Sequence, residues 1–167
     1  MPKQKHARNV TTEDMPEKKY AKNIISEDLM PPQPAGAMKM MEKQAKAGRT
    51  LDRTLLLGIQ DSIVKGAFFA GCEWLWQLTG SGPVSIEATH THDFDEIIGF
   101  AGSNRNYPRD LGGEIEFWFD DEPYTLTRTC YIFIPRGVKH CPIVLKRIDT
   151  PIFMFESGNN TVYEKLT

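Results

Sequence analysis

Three observations predict an all-β fold, a sandwich or small barrel. Apolar and aromatic runs of strand length recur between clusters of turn residues. Only one segment reads as a convincing helix. The core-forming residues crowd into the C-terminal two-thirds: all three Trp, all nine Phe and four of the five Tyr follow residue 52. The charge changes at the same place. Residues 1–52 carry ten Lys/Arg and seven Asp/Glu, whereas residues 53–167 carry ten and fifteen. The expected division is an N-terminal arm over 1–52, a barrel over 53–158 and a short C-terminal tail over 159–167.

In the arm, residues 1–20 are polar and charged and are expected to be disordered or loosely attached. Met30-Pro31-Pro32-Gln33-Pro34 reads as extended, because proline fixes φ and biases its predecessor away from helix. Ala37 to Ala47 is rich in helix formers and stops at Gly48, which predicts one short helix. Its Met38, Met40 and Met41 are candidates for docking on the core.

The strands follow in order. Thr54–Leu57 is a short apolar run, and Ile63-Val64 is taken as a further strand after a turn at Gln60-Asp61. Gly66 to Leu78 is dense in aromatics and suits one or two strands, ended by Thr79-Gly80-Ser81-Gly82-Pro83. Val84 to His92 alternates in strand fashion, with Val84, Ile86, Ala88, His90 and His92 on one face. Ile97–Phe100 continues the sheet. A polar loop is expected over 102–113, then a strand Glu114–Phe119 with its apolar face made by Ile115, Phe117 and Phe119. Asp120-Asp121 makes a turn. Tyr124–Arg128, Cys130–Ile134, His140–Leu145 and Pro151–Glu156 complete the set.

Composition excludes some functions. The net charge of −2 and pI of about 6.1 argue against general attraction to nucleic acid or acidic membrane surfaces. No apolar run approaches the ~20 residues of a membrane span. The basic N-terminus has no apolar segment behind it, so a cytoplasmic protein is expected. Cys72, Cys130 and Cys141 are odd in number, lack metal-finger spacing and read as reduced, packed thiols.

The chemistry concentrates in His90-Thr91-His92-Asp93-Phe94-Asp95-Glu96. Residues 90 and 92 share a strand face, and Glu96 keeps their parity. Two imidazoles and a carboxylate converging on one point suit a first-row divalent metal. Of the four histidines, His6 reads as an ordinary tail residue. His140 follows the turn Pro135-Arg136-Gly137-Val138-Lys139.

Set side by side, the two segments resemble the paired signature of the cupin superfamily, H-x-H-x3-E followed by P-x-G-x2-H, over roughly residues 63–156. The resemblance implies a cupin-type jelly-roll β-barrel, here preceded by an extended N-terminal arm containing one short helix. It also implies that His90, His92, Glu96 and His140 bind one divalent transition metal ion: Fe, Mn, Ni, Cu or Zn. The glycines and the asparagine that flank the family's motifs are replaced here, at Val84, Ser103, Thr129 and Val144. Three histidines and one glutamate leave coordination positions open, which is the arrangement catalytic sites use.

Phe100 and Val144 share the parity of nearby ligands and are pocket candidates. Arg105 and Arg109 suit an anion clamp, although a solvated loop explains them more simply. Cys141 is expected to face away from the site. Glu114 and Glu116 should point to solvent or the outer sheet. Trp74, Trp76 and Trp118 should serve core or dimer packing. The functional expectation is a metal-dependent enzyme on a small organic molecule, oxygenase chemistry first and isomerase or lyase chemistry second. The alternative is a non-catalytic module that binds or senses a metal or small ligand. A homodimer is expected, with neither nucleic-acid nor membrane partners.

Overall fold

The computed structural model describes residues 19–26 and 35–166. The readings for the rest of the arm, including the proline-rich stretch and His6, lie outside the described residues. A 3₁₀ turn at Ala21–Asn23 precedes helix α1 (Ala35–Lys46). Nine strands follow: β1 (Thr50–Ile59), β2 (Ala70–Thr79), β3 (Val84–Glu87), β4 (Glu96–Gly102), β5 (Asp110–Phe119), β6 (Glu122–Arg128), β7 (Cys130–Ile134), β8 (His140–Ile148) and β9 (Ile152–Gly158). They form a five-stranded sheet, β1-β2-β9-β4-β7, and a four-stranded sheet, β3-β8-β5-β6. Every pairing is antiparallel. This is the expected all-β jelly roll.

Alternation along each strand builds the core. On β5, Leu111, Ile115 and Phe117 are buried, while Glu116 turns outward to an ion pair 3.0 Å from Lys146. Ile98 and Phe100 of β4, Ile132 and Ile134 of β7, and Ile143 and Leu145 of β8 meet them between the sheets. Each such side chain contributes roughly 1.5–3 kcal/mol relative to exposure. That apolar mass fills one part of the barrel and leaves the polar cluster described below to the other.

The opposite face of the five-stranded sheet carries the tryptophans. Trp74 and Trp76 stack at 5.3 Å between ring centroids, and Phe153 meets Trp74 edge-on. Gly99 has a packing reason here: a Cβ would overlap the Phe155 ring that lies across it. Trp118 instead donates its indole N–H to Glu116.

Helix α1 docks by an unexpected device. Met38 is exposed and Met40 and Met41 are half-buried. The anchor is Gln44, which donates from Nε2 to the Ser85 carbonyl at 2.8 Å and accepts the Ser85 N–H at 2.7 Å. Its amide thus stands in for a neighbouring strand at β3 and satisfies groups that an open edge would leave bare.

Several sequence expectations are corrected. Ile63-Val64 is not a strand. The N–H groups of Ile63 and Val64 both donate to the Gln60 carbonyl, and the Asp61 carboxylate accepts the Gly66 N–H, so local turn bonds win over apolar content. Strand β1 is far longer than Thr54–Leu57 and begins at Thr50, inside the span assigned to the arm. The polar loop ends early: β5 starts at Asp110, and Gly112-Gly113 lie within it where the register shifts. Gly158 does not end the ordered core. Leu166 pairs with Thr91, its N–H donating to the Thr91 carbonyl at 2.8 Å. Among the described residues, no helix is long and apolar enough to cross a membrane.

Candidate metal centre

The segments that hold the four candidate ligands are tied directly to one another. His140 opens β8, and His90 lies in the connection from β3 to β4. The two exchange backbone hydrogen bonds, His90 N–H to His140 carbonyl at 3.1 Å and the reverse at 3.0 Å. The Gly137 N–H donates to the His92 carbonyl at 2.7 Å. Asp95, between two candidate ligands, fastens three segments. Its carboxylate accepts the Arg136 N–H at 3.0 Å and the Asn159 amide at 3.2 Å. Glu96 begins β4 opposite Gly158. Gly158 is required there, because a Cβ would overlap the Phe69 ring and crowd Phe94.

All four side chains are buried: His92 and His140 at 0%, Glu96 at 1% and His90 at 7% exposure. Their orientation follows one rule. Nδ1 of His90 faces the Ala88 carbonyl at 2.8 Å, Nδ1 of His92 the Phe94 carbonyl at 2.7 Å, and Nδ1 of His140 the Val138 carbonyl at 2.9 Å. A carbonyl only accepts, so each Nδ1 carries the hydrogen and each neutral ring presents a bare Nε2. Fixing the second nitrogen in this way is what metal-binding histidines need. His92 further stacks on Phe94, with centroids 4.0 Å apart.

The bare nitrogens meet a carboxylate. Nε2 of His92 lies 3.1 Å and Nε2 of His140 3.4 Å from the same Oε2 of Glu96. Lone pairs facing one another at such distances are repulsive unless a cation, a proton or a metal ion, is shared among them. Burying a carboxylate costs several kcal/mol unless it is compensated. Burial would raise the Glu96 carboxyl, but protons on the His140 and His92 Nε2 atoms, standing where a metal ion would, outweigh it and hold the group below its usual range. Glu96 Oε1 and His140 Nε2 are both buried without a hydrogen-bond partner. These orphaned atoms, with a borderline nitrogen and oxygen donor set, fit a divalent transition metal.

The structure brings His92, Glu96 and His140 together, their ligand atoms within 4.8 Å of one another. His90 stands beside them, its ring 4.3 Å from that of His140, but its Nε2 accepts the Tyr163 hydroxyl at 3.0 Å. Burial is the main cause holding the His90 imidazole below its usual range. In a second grouping, His90, His140 and Cys141, the ligand atoms likewise lie within 4.8 Å of one another. It is the poorer donor set, since burial, helped by Glu87 and Glu96, pushes the Cys141 thiol well up and keeps it protonated.

The other site expectations fare differently. Cys141 does not face away: it is buried and lines the cavity beside His90. Its φ of 65° and a register shift opposite Phe117 and Phe119 reverse the alternation just after His140. The same reversal turns Val144 out of the site, opposite Ser85 and Glu116. Phe100 points inward but belongs to the packed core, and Ile98 lines the cavity instead. Arg105 is exposed, and Arg109 lines a separate open hollow with Tyr107, Arg128 and Arg147. Neither arginine reaches the histidines' cavity.

That cavity, of about 320 Å³, has His90 in its wall together with residues that sequence reasoning passed over. Tyr163 comes from the tail and packs edge-on against Phe69. Arg53, Glu73 and Glu156 come from β1, β2 and β9. A signal for the two glutamates was present. Glu73 alternates with Leu75, and Glu156 with Ile152 and Met154, so each is a carboxylate on an apolar strand face.

No family model matches the chain, and no curated protein matches it. Solved structures align over part of it. Oxalate oxidase in complex with glycolate shares 15% identity over 68% of this chain and 54% of its own, with a TM-score of 0.44. Lactobacillus farciminis oxalate decarboxylase shares 14% over 70% of this chain and 31% of its own, also at 0.44. An RmlC-like cupin from Shewanella frigidimarina shares 17% over 68% of this chain and 78% of its own, at 0.37. The chain spans about half the length of the oxalate oxidase it matches. Two antiparallel sheets close over a buried histidine–glutamate cluster, with the H-x-H-x3-E segment leading into β4 and the P-x-G-x2-H turn leading into β8, which is the jelly-roll arrangement expected from those two segments.

Proposed function

We propose that this barrel is a metal-dependent enzyme acting on a small organic molecule held in the adjoining cavity. The observation that carries the reading is the facing of unprotonated Nε2 atoms and the Glu96 carboxylate at 3.1 and 3.4 Å, an arrangement that calls for a shared cation. His92, Glu96 and His140 would hold the ion, with His90 as fourth ligand once its Nε2 is released by Tyr163. A bound ion would supply Lewis-acid polarisation of a substrate oxygen and, with iron, access to oxygenase chemistry. Oxygenase activity is the first choice, and isomerase or lyase activity the second.

The chain's own residues do the rest. The carbonyls of Ala88, Phe94 and Val138 hold the imidazoles in one tautomer. Phe69 and Phe94 wall the cluster from water on the side of Gly158. The Tyr163 hydroxyl, at the junction of cluster and cavity, is placed to give a hydrogen bond to a substrate oxygen. Burial and the nearby Glu96 and Glu156 carboxylates raise the phenol far above its usual range, so it stays protonated and donates.

The test is to load the protein with Fe(II) and follow oxygen uptake and product formation against cavity-sized alcohols, amines and hydroxy acids. The expected result is substrate-dependent conversion that disappears in His140→Ala. Loaded protein that binds such ligands without any conversion would overturn the enzymatic reading.

A further inference from the structure

The metal cluster accounts for His90 in the cavity lining and leaves the charged residues from β1, β2 and β9 without a task. Strand register puts these three in one wall, facing inward. Leu55 and Met154 both pair with Glu73, and Gly71 and Ile98 both pair with Glu156. Arg53 shares the wall, its guanidinium 3.4 Å from Glu73 Oε2. Glu73 is 7% exposed, and that same Oε2 has no hydrogen-bond partner. Among the described residues, Glu156 makes no side-chain hydrogen bond and no ion pair. Gly71 keeps room beside it: even a Cβ would only reach van der Waals contact with Glu156 Oε1, at 3.4 Å.

Counting charge identifies what is missing. Glu87, the remaining carboxylate of the lining, is matched by Lys165 at 2.5 Å. Arg53 matches Glu73. Glu156 is left over, so the wall has one more carboxyl than it has cations. Glu156 is half-buried and open to the cavity, so an ionised carboxylate there is penalised less than a fully buried one, but it still gains from a positive group beside it. The surrounding groups agree. Burial first, then Glu96, Glu73 and Glu87, raise the Glu156 carboxyl to about 8, and Lys165 opposes them only weakly.

We infer that this wall is the subsite for a small organic cation, a primary ammonium group that donates to Glu156 and to Glu73 Oε2, which faces Arg53 but takes no hydrogen bond from it. The inference rests on the proposed function, since it names the substrate class of the same cavity: an amine whose other end reaches the histidine side. A second metal ion fits less well, because the Arg53 guanidinium beside Glu73 would repel a divalent charge. An anion would meet two carboxyl groups. An ammonium supplies several N–H donors to a wall rich in acceptors, and charge-assisted bonds of this type are the strong ones.

Isothermal titration calorimetry of the full chain tests it, with 3-amino-1-propanol, the neutral isostere 1,3-propanediol and the anion 3-hydroxypropanoate as probes. The amine is expected to bind roughly tenfold or more tightly than the diol, and the anion not at all. At neutral pH the amine should displace a proton from Glu156, so its heat should vary with the ionisation enthalpy of the buffer. Glu156→Gln should remove both the preference and the proton release, and Glu73→Gln should weaken the preference. Equal affinity for amine and diol, tighter binding of the anion, or no binding by any probe up to about 10 mM would overturn it. Each titration is run on metal-loaded and on chelator-stripped protein. An amine preference that survives stripping while the protein takes up no metal would sink only the metal reading. A metal-binding protein indifferent to the amine would sink only this one.

Discussion

Glu156→Gln raises the unfolding midpoint of the metal-free protein, and its advantage over the parent widens as pH rises. The sign follows from proton linkage. The folded-state carboxyl is raised from its ordinary 4.5 to about 8 by burial and by its carboxylate neighbours. Between those values the unfolded chain has lost the proton that the native state keeps, so stability falls as pH rises. Below about pH 4.5 both states are protonated and the penalty vanishes. By pH 8 linkage puts the cost at roughly 2–4 kcal/mol, allowing for water in the cavity. Glutamine has the same shape and no charge to desolvate, and it should recover most of that as several degrees in the midpoint. Thermal melts at pH 5 and pH 8 check this. An unchanged gap between the two, or a variant less stable than the parent at both, would mean that Glu156 has a partner already. The stabilisation and the loss of amine binding are two consequences of the same unmatched carboxyl, and a residue that lowers stability is often kept for its function.

The second large effect concerns the ligands, and the geometry ranks them. His92→Ala, Glu96→Ala and His140→Ala each remove a member of the group whose donor atoms already meet, and each should lower metal affinity by about a hundredfold or more. His90→Ala should cost less, because His90 Nε2 must first give up the Tyr163 hydroxyl. Tyr163→Phe frees that nitrogen and should leave affinity unchanged or higher. Affinity should also fall in acid, since protons then compete with the metal for Nε2. Competition against a chromophoric chelator measures the whole series. A His90→Ala variant weaker than His92→Ala would place the ion nearer Cys141 than Glu96.

Much of this was legible in the chain. The H-x-H-x3-E and P-x-G-x2-H segments carry their own geometry, and the carbonyl partners of the three histidines lie two residues from each ring, so local sequence sets both ligand type and tautomer. Strands were legible wherever alternation was strict, as over Ile115, Phe117 and Phe119. Reasoning failed where alternation breaks. Parity carried forward from His140 assigns Val144 to the pocket and Cys141 to the far side, but the positive φ at Cys141 exchanges them. It failed again where a polar side chain does backbone work, since nothing in a helical repeat marks Gln44 as the partner of Ser85. The tail was underrated because Tyr163 matters through a contact 73 residues away in sequence. The arginines of the 102–113 loop attracted interest by residue type alone, whereas the cation that lines the cavity, Arg53, sits in an apolar strand. Glu73 and Glu156 could have been found by asking which carboxylates fall on apolar faces.

The central claim is that the histidines and Glu96 surround a metal ion. X-ray absorption spectroscopy of the metal-loaded protein tests it most directly. The expected spectrum has nitrogen and oxygen at about 2.0–2.2 Å, with imidazole scattering beyond them and no sulfur. A sulfur shell near about 2.3 Å, as the Cys141 grouping would give, or a protein that retains no ion to measure, would contradict it.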